Sequence, residues 1–268
     1  MIVDNFAVLI ILLLGLSIGS FLNVVILRVH AESSLLGSSA CPSCKKPIAW
    51  YDNIPLFSYL FLLGKCRNCK KPISWQYPAV EGSTALLTLV AFFFLQSRVE
   101  YDPTRLSFWL DYATVFCTVA IFVALFVYDL RYMLVPDIIL FPGAGIVAVL
   151  SVLSSPSMLQ VLHLIYGILV YSGFLGFIAV VTKGRGMGWG DVKLGILLGL
   201  FLGFPLSIYG LVLAFWLGAI VSIFFLVKRK KGMKDMLPFA PFLISGCLLV
   251  WFFQEPILKL FGSGGLFY

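Results

Sequence analysis

Charge is what this chain has least of. Of 268 residues only 12 are acidic and two are histidine, and Asp, Glu, Lys and Arg together make up 12%, against roughly 25% in soluble globular domains. With 61% hydrophobic residues and a mean hydropathy of +1.04, a soluble fold is excluded and an integral membrane protein is expected. The chain also lacks a basic stretch ahead of its first apolar run. Asp4 is the only charge there, so a retained first helix is expected rather than a cleavable signal peptide. No glycine-rich cofactor fingerprint is legible. The net charge of +7 resides in loops between apolar stretches, not along one polar face, which points to membrane orientation and away from nucleic acid.

What is present is mostly apolar sequence of helix length. Spans are expected at 6–27, 78–97, 107–127, 138–153, 159–181, 192–204, 206–227 and 239–258, giving an all-α, polytopic membrane bundle of about eight transmembrane helices. Gly203-Phe204-Pro205 is the natural break in the long stretch 192–227, and the short piece before it implies local bilayer thinning or burial inside the bundle. Gly15, Ser17, Gly19 and Ser20 form a small-residue stripe suited to close helix packing. If both termini are outside, 16 of the 19 basic residues fall in inside loops and only Arg98, Arg105 and Lys259 outside, the bias expected of a cytoplasmic side. The run Lys228-Arg229-Lys230-Lys231 reads as an orientation determinant. Trp109, Tyr101 and Tyr268 stand near outer boundaries, as interfacial aromatics do. His30 and His163 lie far apart in this topology and make no convincing metal or base pair.

The one sizeable polar segment, 28–77, carries Cys41-Pro42-Ser43-Cys44 and Cys66-Arg67-Asn68-Cys69, with 21 residues between the pairs. Paired CxxC knuckles present two sulfurs each to one tetrahedral ion, so Cys41, Cys44, Cys66 and Cys69 are expected to bind zinc, or less often iron, as a small zinc-ribbon-like loop. Disulfides or a dithiol redox pair are the alternatives, and the inside placement argues against them. A loop of this length with almost no core would take its folding energy from the metal. Cys117 and Cys247 sit in apolar spans and read as small buried hydrophobes.

Against this background two carboxylates at span ends are costly placements. Asp129 lies in Tyr128-Asp129-Leu130-Arg131-Tyr132-Met133-Leu134-Val135-Pro136-Asp137, and Asp191 ends Gly186-Met187-Gly188-Trp189-Gly190-Asp191. The topology puts both at the cytoplasmic side, two crossings apart. A carboxylate pair cleaves an amide when one member takes a proton from water and the other polarises the carbonyl, a state that proximity makes accessible. The glycines before Asp191 leave room for a substrate backbone. From the residues alone three readings stand open: a catalytic dyad, helix-end carboxylates stabilised by a helix dipole or by Arg131, and a proton or cation pathway.

In sequence order, Gly15-Leu16-Ser17-Ile18-Gly19-Ser20-Phe21-Leu22-Asn23, the tetracysteine loop with Trp50-Tyr51-Asp52-Asn53-Ile54-Pro55 inside it, Gln76-Tyr77-Pro78-Ala79-Val80-Glu81, the Asp129 segment and Gly188-Trp189-Gly190-Asp191 together resemble the type IV prepilin peptidases. These are bacterial leader peptidases of the intramembrane aspartic class, and the last motif fits their GxGD pattern. The resemblance runs nearly end to end. It implies Asp129 and Asp191 as catalytic residues, with Asp137 supporting them. It implies cleavage of the basic leader of prepilins and pseudopilins after a glycine, at the cytoplasmic face of the bacterial inner membrane.

The resemblance also implies methylation of the new N-terminus with S-adenosylmethionine, since members that methylate typically carry the cysteine loop. Glu81, about one turn into a span, is the candidate near methyl transfer, beside a plain helix-start role. His30 stands where proline is expected. The resulting expectation is a first helix at 1–27, a cytoplasmic metal-binding loop at 28–77 and a peptidase bundle at 78–268, with prepilin and membrane lipid as partners. A proton-coupled transporter and a scaffold presenting a zinc ribbon are the rival functions.

Overall fold

A computed structural model of the chain describes residues 5–98, 105–154, 157–228 and 237–260. Among them the regular structure is helical, with two isolated bridge pairs, Ala40 with Pro47 and Lys65 with Pro72, and no strand. Ten α-helices follow in order: α1 (Asn5–His30), α2 (Phe57–Phe61), α3 (Gln76–Arg98), α4 (Leu106–Tyr132), α5 (Asp137–Ser154), α6 (Met158–Val181), α7 (Trp189–Leu202), α8 (Leu206–Val227), α9 (Ala240–Phe252) and α10 (Gln254–Leu260).

Helices α1, α3, α4, α5, α6 and α8 are each long and apolar enough to cross a membrane, and the chain is a multi-pass membrane protein. Each of the eight expected spans has a helix. Helices α7 and α9, at 14 and 13 residues, extend only about 20 Å at 1.5 Å per residue, short of a bilayer core of about 30 Å. The expected span 239–258 is corrected: the helix ends at Phe252 and α10 starts at Gln254. Pro256 is the physical reason, because it has no N–H for the carbonyl of Phe252 and its ring collides with that turn. Tyr101, Tyr268, Arg229, Lys230 and Lys231, invoked above for the interface and for orientation, lie outside the described residues.

The chain divides into two compact units, Met1–Val127 and Tyr128–Tyr268. In the first, α1 and α3 pack antiparallel through their backbones. A Cβ on Gly15 would stand 2.7 Å from Ala85 Cα, and one on Gly19 would stand 2.7 Å from Glu81 Cα. One turn further, Asn23 donates to the carbonyl of Tyr77 at 3.2 Å and accepts from Gln76 Nε2 at 3.3 Å. Of the expected small-residue stripe, Gly15 and Gly19 carry the contact. Ser17 does not: it is exposed and donates to the carbonyl of Leu13, because positions 15, 19 and 23 share a helix face that position 17 leaves. Toward the other end, Ala7, Ile11, Phe92, Phe108 and Tyr112 form an aromatic core against which Trp109 packs.

In the second unit α6 and α7 cross at glycines. A Cβ on Gly199 would lie 2.4 Å from the carbonyl oxygen of Gly167, and Ser172 donates to the carbonyl of Val192 at 2.9 Å. The break expected at Gly203-Phe204-Pro205 is present. Gly203 takes φ 66, open to glycine, and the Phe204 N–H bonds the carbonyl of His163 at 3.0 Å. Helices α8 and α9 meet where a Cβ on Gly246 would touch the Ala214 backbone at 2.7 Å. Leucines and phenylalanines on α1, α5, α6 and α8 point outward, which suits lipid and not water.

The Gly199 crossing has no room for a side chain. Gly199→Leu is therefore expected to lower the unfolding temperature in detergent, by the equivalent of at least about 1–3 kcal/mol of overpacking. The same substitution at Gly173, where a Cβ meets nothing within 4 Å, is expected to leave it nearly unchanged in the same thermal scan.

Candidate functional site

The second unit brings Asp129 and Asp191 together. Asp129 is in the last turn of α4, which ends when Met133 turns to φ 54 and its N–H bonds the carbonyl of Asp129 at 2.9 Å. Although at a helix end, Asp129 is only 5% exposed. Its Oδ2 accepts the N–H of Ala240 at 3.1 Å, the first residue of α9, so the carboxylate sits on the positive end of another helix. The partner foreseen from spacing, Arg131, instead lies over the ring of Tyr132 at 5.5 Å.

Asp191 is the third residue of α7 and not ahead of it, in the first turn after the N-cap Gly188. Its backbone N–H bonds the carbonyl of Gly188 at 3.1 Å, and its carboxylate folds back toward that residue. An acid in the first turn faces the orphaned N–H groups of the helix start. A Cβ on Gly188 would meet Asp191 Oδ2 at 3.3 Å, so glycine is what leaves the carboxylate uncovered there. Gly190 is needed for a different reason: a Cβ on it would press to 3.2 Å on Val135, in the turn that follows Asp129. That approach seats α7 against the end of α4, and the charge of Asp129 reaches Asp191.

A contact not foreseen from the sequence flanks the pair. Lys193 Nζ donates to both oxygens of Asp137, at 2.9 and 2.7 Å, joining the starts of α7 and α5. Lys193 is two residues past Asp191 and Asp137 eight past Asp129. The pairing links the two aspartate segments, and only their proximity in space reveals it.

The first unit holds the four cysteines. Their sulfurs lie within 4.8 Å of one another, with Cys41 and Cys69 3.9 Å apart. A tetrahedral four-thiolate site with zinc–sulfur bonds of about 2.3 Å needs sulfurs about 3.8 Å apart, so the donor set fits such an ion. The knuckles are built alike. The N–H of Cys41 bonds the carbonyl of Lys46 and that of Lys45 returns to Cys41, and the same two bonds recur between Cys66, Lys71 and Lys70. Lys45 and Lys70 both take φ 59.

This likeness was readable as a repeat, Cys-x-x-Cys-Lys-Lys-Pro-Ile at 41–48 and 66–73. The Cys41 thiol is lowered to about 6, first by the backbone N–H of Cys44 and further by that of Ser43. Cys69 goes up to about 11: the N–H of Lys71 lowers it, but desolvation and the neighbouring thiols outweigh that. Arg67 forks onto Asp52 at 2.6 and 2.7 Å, holding that carboxyl below its usual range and tying the second knuckle to the 3₁₀ turn Trp50–Asn53.

Glu81 belongs to the same unit. It is 6% exposed, its Oε2 accepts the N–H of Leu56 at 2.8 Å, and its backbone lies against Gly19. One buried acidic residue thus joins α1, α3 and the segment between the knuckles. Cys117 is half-buried and Cys247 fully buried, in keeping with packing roles. His163 contributes its backbone carbonyl to the α6–α7 contact.

Residues 13–95 match the Bacterial Peptidase A24 N-terminal domain, and residues 115–223 match the Type IV leader peptidase family. A prepilin leader peptidase/N-methyltransferase of Bacillus subtilis is 30% identical over 94% of this chain and 96% of its own length. One of Pseudomonas aeruginosa is 32% identical over 90% of this chain and 89% of its own length. A type 4 prepilin-like proteins leader peptide-processing enzyme of Escherichia coli is 33% identical over 90% of this chain and 91% of its own length. No solved structure matches the chain. With relatives this similar along almost the whole of both chains, and with both halves matched in order, the chain belongs to the type IV leader peptidase family.

Proposed function

We propose that this protein is an intramembrane aspartic endopeptidase that removes the basic leader of type IV prepilins and pseudopilins after a glycine, and then methylates the new N-terminal amine. The observation that carries the peptidase reading is the meeting of Asp129 and Asp191 at two helix N-termini in one unit. One carboxylate accepts a proton from water, and the resulting nucleophile attacks the carbonyl carbon after the glycine. The other, protonated, hydrogen-bonds the carbonyl oxygen and then supplies a proton to the leaving amine. Two like charges at short range favour a pair that shares one proton, which is the state this chemistry needs. The missing side chain at Gly188, which leaves the Asp191 carboxylate uncovered, gives an extended substrate backbone access to the pair.

Several features support the remaining parts of the reading. The bias of Lys and Arg among the loops supports a cytoplasmic site, with both termini outside. The four-sulfur cluster supports zinc at Cys41, Cys44, Cys66 and Cys69, as a structural ion that folds the 28–77 loop. The names of the relatives support methyl transfer. When bound, S-adenosylmethionine supplies an electrophilic methyl group on a positively charged sulfur. Glu81, with Asp129 one of two buried acidic residues among those described, is the residue of this chain assigned to that step, as a counter-charge beside it.

Purified protein in detergent, given a prepilin and S-adenosylmethionine and analysed by mass spectrometry, tests both activities at once. Asp129→Asn and Asp191→Asn are each expected to lower cleavage by about 10²-fold or more; cleavage retained in either rejects the dyad. Glu81→Gln is expected to leave cleavage in place while reducing the methyl mass increment on the mature N-terminus. Elemental analysis is expected to give about one zinc per chain, lost in Cys41→Ser and Cys66→Ser; a disulfide-bonded, metal-free product from native membranes would reject the zinc site.

A further inference from the structure

Helix α2 turns its apolar face outward. Phe57, Leu60 and Phe61, at spacings that share one side of a helix, are exposed, Leu60 by 68% and Phe61 by 84%, and Leu63 just beyond is 83% exposed. The residue turned inward is polar: Ser58 is buried, donating to the carbonyl of Tyr51 at 2.9 Å and accepting the N–H of Ile54 at 3.0 Å. In a loop washed by water this arrangement is inverted, since an apolar side would be the one to bury.

The level at which α2 is held says what covers that face. The bond from the Leu56 N–H to Glu81, together with the Leu56 side chain 3.9 Å from a Cβ on Gly82, fixes the start of α2 beside residues 81 and 82 of α3. These lie five and six residues inside a membrane-crossing helix that starts at Gln76, about 8 Å along its axis. Gly19 of α1 is at the same height, and α1 continues for eleven residues to His30. The start of α2 is therefore held at the level of the membrane-crossing parts of α1 and α3. Beside the apolar face of α2, Lys65, Arg67 and Lys70 share a recess of about 260 Å³ with Phe61 and Leu63, cations next to apolar side chains as at an anionic lipid surface.

We infer that α2 and Leu63 insert into the headgroup–acyl boundary of the bilayer as a monotopic foot, with Phe57, Leu60, Phe61 and Leu63 in lipid and the neighbouring basic residues at anionic headgroups. The second cysteine knuckle begins at Cys66, three residues after Leu63, so the foot ties that end of the cysteine cluster to the membrane surface. The inference rests on the membrane-spanning reading of α1 and α3 and not on either enzymatic activity.

The test uses the full chain reconstituted in vesicles of phosphatidylethanolamine and phosphatidylglycerol. The photo-crosslinker p-benzoylphenylalanine is placed singly at Phe61, at Leu63, or at the outward-facing Leu13 in α1 as the lipid reference. After irradiation, intact mass analysis is expected to find phospholipid adducts at Phe61 and Leu63, with a yield at least about one tenth of that at Leu13. A lower yield while Leu13 reacts normally overturns the inference. So does a covalent dimer in place of the lipid adduct, which would make the face a contact between copies, or a crosslink to added prepilin in its place, which would make it a substrate groove. Because all three side chains point outward, the variants are expected to unfold at the wild-type temperature.

Discussion

Two helices in lipid gain little from pressing leucines together, because the hydrocarbon they leave is as apolar as the partner they meet. Backbone-to-backbone approach is what remains, and the fixed positions in this protein depend on it. Gly15 and Gly19 let α1 lie on α3, Gly167 and Gly199 let α6 lie on α7, and Gly190 lets the start of α7 reach Val135. The buried and half-buried carboxylates are placed by these contacts. Glu81 supplies the backbone that Gly19 touches, and Asp191 follows directly on the glycine that meets the turn after Asp129. A side chain at any of these crossings would displace a titratable group along with the helix that carries it.

Carboxylates so near an apolar interior are costly to keep, and the fold offsets the cost in one recurring way. Each is set at the start of a helix or segment: Asp129 takes the N–H of Ala240 in α9, Asp191 lies in the first turn of α7, and Glu81 takes the N–H of Leu56 just ahead of α2. Such donors carry partial positive charge without adding a cation. A carboxylate held by backbone dipoles keeps its site compact and its hydrogen-bonding capacity only partly used. A lysine or arginine ion pair would instead hold the carboxylate permanently ionised. Of the cations close by in sequence, Lys193 is committed to Asp137 and Arg131 lies over the ring of Tyr132.

The cysteine segment solves a different problem. It has little interior of its own, and its two knuckles are copies of one tight turn with a lysine in the left-handed region after the second cysteine. What assembles them is the convergence of four sulfurs, the Arg67–Asp52 fork and the bond to Glu81. These polar contacts need no apolar interior, which is why the segment can turn apolar side chains outward without losing its shape.

The amino-acid sequence by itself determined the helical class, the approximate bounds of the helices and the chemistry of the ligand set. Apolar length, the lone break at Gly203-Phe204-Pro205 and the CxxC spacing are local properties that do not depend on where other segments lie. It also marked Asp129, Asp191 and Glu81 as costly residues. Only the tertiary structure decided what Asp129 and Glu81 bond, because Ala240 and Leu56 are bound through backbone N–H groups that every residue except proline possesses. It decided as well that Ser17 faces away while Gly15 and Gly19 face α3, and that Lys193 pairs with Asp137. Those outcomes depend on which faces meet and at what height, and helix packing sets both.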